Sequence, residues 1–337
     1  MPPFAGLDDL EPQAAAPVRD AATVPSPRSA RPRPSVPAAP APTCPVPIPA
    51  TDDRIRTGTR ALLVVFVAFT LLAVNQLLML GGDTDTFFAW PIHSRPNSAY
   101  LGAAYGAGVI LSVLALVQRR WSRVRIGVVT VGAFTVLTLI PTLLHRHRLS
   151  FMADAAPTAR LAAYVWLAVY VLVPIACAVV VVRQGGLRRE REVRQPMPVW
   201  LAVVLLAQGT VLATIGATLY LSSARSHMSM EMAHPGWPWP VTPLTGMVIG
   251  AWLMSFGFAA VLAVRERDLS RMLAPSVAYA ANGGFQLVVL LTNRTAPGTD
   301  VSSWWVAAVL LTSTLLTGGY GAFRAAAGPK AVPAPTV

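Results

Sequence analysis

Eight apolar runs divide the chain, at about 61–80, 98–117, 125–144, 161–182, 199–221, 243–264, 273–292 and 304–323. Each has roughly the 20 residues a helix needs to cross a hydrocarbon core. None holds Asp, Glu, Lys or Arg well inside it. Lipid offers no water to the backbone N–H and C=O groups, so each run must satisfy them internally as an α-helix. The runs predict an all-α membrane protein with eight transmembrane helices. Composition agrees: only 12% of the 337 residues are charged, against roughly 25% in soluble domains.

The loops set the orientation. Of 27 basic residues all but Lys330 are arginine, and the net charge is +12. Seventeen basic residues flank the helix ends on the side of the termini, among them Arg125 and Arg271, against six on the other side. Short basic loops stay cytoplasmic, so both termini are expected in the cytoplasm, and an arginine- and alanine-rich composition fits a GC-rich bacterial genome. Loop arginines of this kind meet anionic lipid. Membrane lipids, and other membrane subunits, are the partners expected, with no nucleic acid.

Residues 1–59 carry 14 of the 30 prolines. Proline blocks helix and the segment has little to bury, so a disordered cytoplasmic tail is expected there. No basic n-region with an apolar h-region opens the chain, and the first membrane helix is expected to do the targeting. Cys44 and Cys177 are too few and too differently placed for a disulfide framework or thiolate metal site.

A junction of Trp-Pro loop and Gly-Ala helix start occurs twice. FAWPIHSRPNSAYLGAAY (88–105) aligns with WPWPVTPLTGMVIGAW (237–252), Trp90 falling on Trp239. RRWSRVR (119–125) then falls on RDLSRML (267–273), and LLHR (143–146) on LTNR (291–294). This reads as two repeats of four helices, 60–183 and 198–324, joined by a basic linker over 184–197 and followed by a short tail over 325–337. An even helix number per unit makes the repeats parallel. Thr242 or Thr245 is expected to cap the sixth helix. Gly102 and Gly106, and Gly246 and Gly250, form GxxxG pairs that let helices approach closely, predicting a packed seam between the second and sixth helices. Trp90, Trp237, Trp239, Trp304 and Trp305 are expected as anchors at the outer membrane interface.

Two constellations bear on chemistry. In SHMSMEMAH, His227, Met228, Met230, Met232 and His234 alternate thioether and imidazole, the ligands a soft ion such as Cu(I) prefers. The competing reading is a variable loop, since the first half has no counterpart. Gln208, Asn282 and Gln286 are intramembrane amides, read either as a ligand path between the halves or as interhelical hydrogen-bonding groups. No membrane-buried carboxylate offers a proton relay. No P-loop, GxSxG, HExxH or paired-carboxylate spacing is present.

The segments Phe88 to Ile92, Leu143 to His145, Trp239 to Thr245 and Gly250 to Trp252 resemble a family of uncharacterised multi-pass membrane proteins of actinobacteria. The likeness covers about 60–325; it implies eight helices and a bacterial plasma membrane, and no activity. The His/Met loop departs from that family. The reading is a non-enzymatic accessory or scaffold protein, or a binder of an apolar ligand. Alternatives are a carrier or flippase-type protein for a lipid or apolar solute, and copper or silver handling.

Overall fold

The computed structural model describes residues 53–152, 154–186, 193–225 and 236–328. Its architecture is eight helices long and apolar enough to cross a membrane. They are α1 (Thr57–Met79), α2 (Arg95–Val117), α3 (Arg125–Leu144), α4 (Pro157–Arg183), α5 (Val199–Arg225), α6 (Pro243–Glu266), α7 (Leu273–Thr292) and α8 (Val301–Ala327). The last turn of α1, Asn75–Met79, widens into a π-helix. Strand pairing among the described residues is limited to two isolated antiparallel bridges. The proline-rich segment before residue 53, residues 187–192 of the basic linker and the whole His/Met loop lie outside the described residues.

Helix ends follow local chemistry. Pro96, Pro157 and Pro243 sit in the first turns of α2, α4 and α6, where a missing N–H costs nothing. Thr242 caps α6, its hydroxyl accepting from the Thr245 N–H. Asp300 caps α8 by accepting from the Ser303 N–H.

Sequential helices pack as pairs: α1 on α2, α3 on α4, α5 on α6, α7 on α8. Between the halves the main contacts are α2 with α7 and α3 with α6. The α1/α4 and α5/α8 seams are much slighter. In order of contact the helices close a circuit, α1–α2–α7–α8–α5–α6–α3–α4.

The expected seam between the second and sixth helices is therefore corrected, because α2 and α6 barely touch. A Cβ on Gly102 would lie 2.6 Å from Leu78 of α1. One on Gly246 would meet Ser223 of α5 at 2.3 Å, and one on Gly250 the Gly216 carbonyl oxygen at 2.6 Å. Gly106 faces Phe285 of α7. Three of the four glycines thus serve packing inside one half, onto the preceding helix. The small-residue motif identified a face that accepts close contact and not the helix that fills it.

The segment entering each half crosses the loop between that half's second and third helices in the same way. Ile55 N–H donates to the Arg119 carbonyl (3.1 Å) and Trp121 N–H to the Asp53 carbonyl (2.7 Å). Correspondingly, Met197 N–H donates to Arg267 (3.0 Å) and Leu269 N–H to Gln195 (2.8 Å). Both loops form a 3-10 turn, Trp121–Arg123 and Leu269–Arg271. A carboxylate fastens each crossing from opposite strands. Asp53 accepts from the Ser122 N–H and hydroxyl, whereas Asp268 accepts from the N–H groups of Arg194, Gln195 and Ser270. Those bonds outweigh the opposing effect of burial and hold the Asp268 carboxyl below its usual range.

Candidate functional site

A cavity of about 460 Å³ lies among the helices, walled mainly by α1, α2, α3, α4, α6 and α7. Ligand pockets typically span roughly 300–1,000 Å³. Aromatic side chains form much of the wall. Trp252 of α6 packs on Phe134 of α3, ring centroids 4.1 Å apart, and stacks on Phe256 one helical turn along its own helix. Tyr105 of α2 meets the Trp252 ring edge-on at 5.3 Å. Trp166 and Tyr170 continue the wall along α4, 4.3 Å apart.

The polar content of the wall is small and uncharged. The Tyr105 and Tyr170 hydroxyls share a hydrogen bond of 2.6 Å. The buried Trp252 Nε1 and Thr130 Oγ1 have no hydrogen-bond partner among the described residues. Among the described residues, no Asp, Glu, Lys, Arg or His lines the space. A charged guest would lose its hydration with nothing in return. The chemistry such a chamber supports is therefore retention of an uncharged apolar molecule.

On the side opposite the α1 start, Phe88 and Ala89 line the chamber and are almost wholly buried. On the α1-start side Leu269 and Met272 line it, equally buried. Nearby, Arg125 pairs with Glu266 at 2.6 Å, Arg271 pairs with Glu266, and Arg271 Nε lies 3.3 Å from Asp268. All four are buried. This network was not read from the sequence, where Arg125 and Arg271 stand as solvated loop charges. The alternation of acid and base in RERD, Arg265 to Asp268, is the signal that pointed to it.

The sequence-derived amides are buried, and they are not assembled in one place. Gln208 Nε2 donates to Ser313 Oγ and Thr317 Oγ1 of α8, and the Tyr279 hydroxyl donates to its Oε1. Gln286 Nε2 donates to the Tyr100 carbonyl of α2 at 2.9 Å. Asn282 is buried with Oδ1 unpartnered among the described residues. None of the three lines the chamber. Gln208 and Gln286 hold helices together, and the path reading is corrected accordingly. Asn75 and Gln76 do reach the chamber wall.

The expected anchors divide. Trp90, Trp237 and Trp239 are buried within the protein, each hydrogen-bonded through its indole N–H, so for these three the interface reading is corrected. Trp304 is half-buried and donates to the Leu290 carbonyl, while Trp305 is exposed. The metal reading on His227, Met228, Met230, Met232 and His234 falls outside the described residues. Within them, no group of three or more His, Cys, Asp or Glu side chains is placed to hold a metal ion. No protein-family model, curated protein or solved structure matches the chain.

Proposed function

We propose that this multi-pass membrane protein is an internally duplicated, non-enzymatic binder of an uncharged apolar ligand, held in the chamber among its helices. The observation that carries the reading is the chamber itself: about 460 Å³, aromatic-walled and, among the described residues, without one ionisable acid or base other than tyrosine. A ring-lined wall gives a hydrocarbon or flat conjugated guest close dispersion contact, and the missing charge selects against headgroup-bearing molecules. The duplication is supported by the paired backbone crossings at Asp53–Trp121 and Gln195–Leu269. By the arginine distribution, the face where α1 begins is cytoplasmic, and the family resemblance supports a bacterial plasma membrane.

The test is mass spectrometry of neutral lipids extracted from the purified protein, beside a variant with the chamber filled, Ala259→Leu. A stoichiometric neutral species present in the wild type and depleted in the variant is the expected result. Equal, non-stoichiometric lipid in both would sink the reading.

A further inference from the structure

The chamber has a side wall that differs between the two halves. Helix starts set the correspondence of α1 with α5 (Thr57 with Val199) and of α4 with α8 (Pro157 with Val301). In that register Phe66 takes the place of Gln208, Val169 that of Ser313, and Val173 that of Thr317. The α5/α8 seam is shut by hydrogen bonds from Gln208 to Ser313 and Thr317, and Trp200 packs against Tyr320 toward the α1-start side. The α1/α4 seam has only apolar side chains at the same three positions, with nothing to pin it at that depth.

A groove of about 610 Å³ runs along that unpinned seam. Phe69, Val165, Val169 and Val173 line both the groove and the chamber. Polar contacts close the seam only near its ends. The Gln184 amide and the Thr59 hydroxyl share a 2.7 Å hydrogen bond at one end, and Thr158 donates to the Thr86 carbonyl at the other. Between them the wall is hydrocarbon. Arg56 and Arg183 stand at the groove's α1-start end, where a charged headgroup finds its partner without travelling inward.

We infer that the α1/α4 seam is a lateral portal through which a neutral, membrane-dissolved lipid passes between the bilayer and the chamber. The inference rests on the ligand-binding reading and adds where the ligand comes from. Buried apolar side chains line the chamber toward either membrane face, Phe88 and Ala89 on one side and Leu269 and Met272 on the other, and between its polar ends the α1/α4 groove is apolar.

The experiment places the protein in lipid nanodiscs with a diazirine-bearing diacylglycerol, irradiates, and maps labelled peptides. Wild type is expected to label the groove at Val165 and the chamber wall at Trp252 and Phe256. Moving the second half's latch into the first, Phe66→Gln with Val169→Ser and Val173→Thr, should slow the appearance of chamber label after probe addition by about fivefold or more, as expected for adding even one hydrogen bond to the closed seam. Exposed lipid-facing helices should label as before. Chamber label that appears as fast in the latched variant as in wild type overturns the portal. No chamber labelling in wild type overturns the ligand-binding reading itself. A diazirine phosphatidylglycerol should label the groove and spare Trp252; equal labelling there refutes the neutral class. If the latched variant does not fold, the reverse exchange decides: Gln208→Phe with Ser313→Val and Thr317→Val should gain label along α5/α8, and no gain overturns the portal.

Discussion

Trp90 donates its indole N–H to Thr245 Oγ1 at 3.1 Å, and Trp237 donates its own to Asn97 Oδ1 at 3.0 Å. Asn97 and Thr245 occupy the same place in α2 and α6, each three residues beyond a hydroxyl residue, Ser94 and Thr242, to which it hydrogen-bonds. Each loop therefore reaches into the helix start of the other half. Trp237, rather than the Trp239 that the loop alignment selects, makes the bond that mirrors Trp90.

This reciprocal pair sets the first expectation. Thr245→Val keeps volume but strands the Trp90 N–H, which should cost about 1–3 kcal/mol. Asn97→Leu should cost more, because Asn97 also donates to the Pro240 carbonyl and Ser94. Reversible unfolding in detergent–SDS mixtures measures both. A Thr245→Val variant as stable as wild type would show that the cross-half bond contributes nothing.

The buried charges give a second. Arg125, Glu266, Asp268 and Arg271 balance to zero, and Glu266 accepts from both arginines. Glu266→Gln removes the carboxylate that both arginines share and should destabilise by roughly 3–5 kcal/mol. Adding Arg125→Met to that variant restores neutrality, leaving Arg271 with Asp268. The double variant is expected to be more stable than Glu266→Gln alone; the reverse order in the same unfolding assay would contradict an electrostatic origin.

These two cases mark how far the sequence could be read. Helix number and position were legible because twenty apolar residues in a row admit one solution in lipid. The α3 and α7 spans match to the residue. The α4 helix begins at Pro157, four residues before the apolar run, because proline suits a first turn and Arg160 fits a helix end. Partner choice was not legible. Gly250 advertises a close approach, but only the fold shows that Gly216 makes it. Likewise an indole suits a membrane interface and a protein interior equally once its N–H has an acceptor, as Trp90 and Trp237 do. Gln208 was legible as a costly group needing partners, and its partners Ser313 and Thr317 turned a supposed path into a latch.

A third expectation concerns acid. Hydrogen bonds from Ser303 and Ser302 hold the Asp300 carboxyl down to about 2. A carboxyl lowered by folding contributes its stability in full above its unfolded-state value near 4, and loses it as pH falls through the folded value. Asp300→Asn retains a side-chain cap with no titration. The stability difference between wild type and Asp300→Asn should therefore be constant above about pH 5 and should shift against the wild type between about pH 4 and 2. Melting curves of both proteins across that window test this, and parallel curves throughout would refute it.

The last expectation separates glycines that look alike in sequence. A Cβ on Gly216 would stand 2.8 Å from the Gly250 carbonyl oxygen, and one on Gly250 would stand 2.6 Å from the Gly216 oxygen. Both obstacles are backbone, so no side chain can turn aside, and α5 and α6 must separate. Gly319, inside α8, has nothing within 4 Å of the corresponding point. Gly250→Val and Gly216→Val should lose folded, monodisperse protein in detergent. Gly319→Ala should be tolerated or gain up to about 1 kcal/mol from helix propensity. Size-exclusion profiles and melting temperatures of the three variants decide the matter. If Gly216→Val remained monodisperse at the wild-type melting temperature, the α5/α6 backbones could not lie as close as the structure places them.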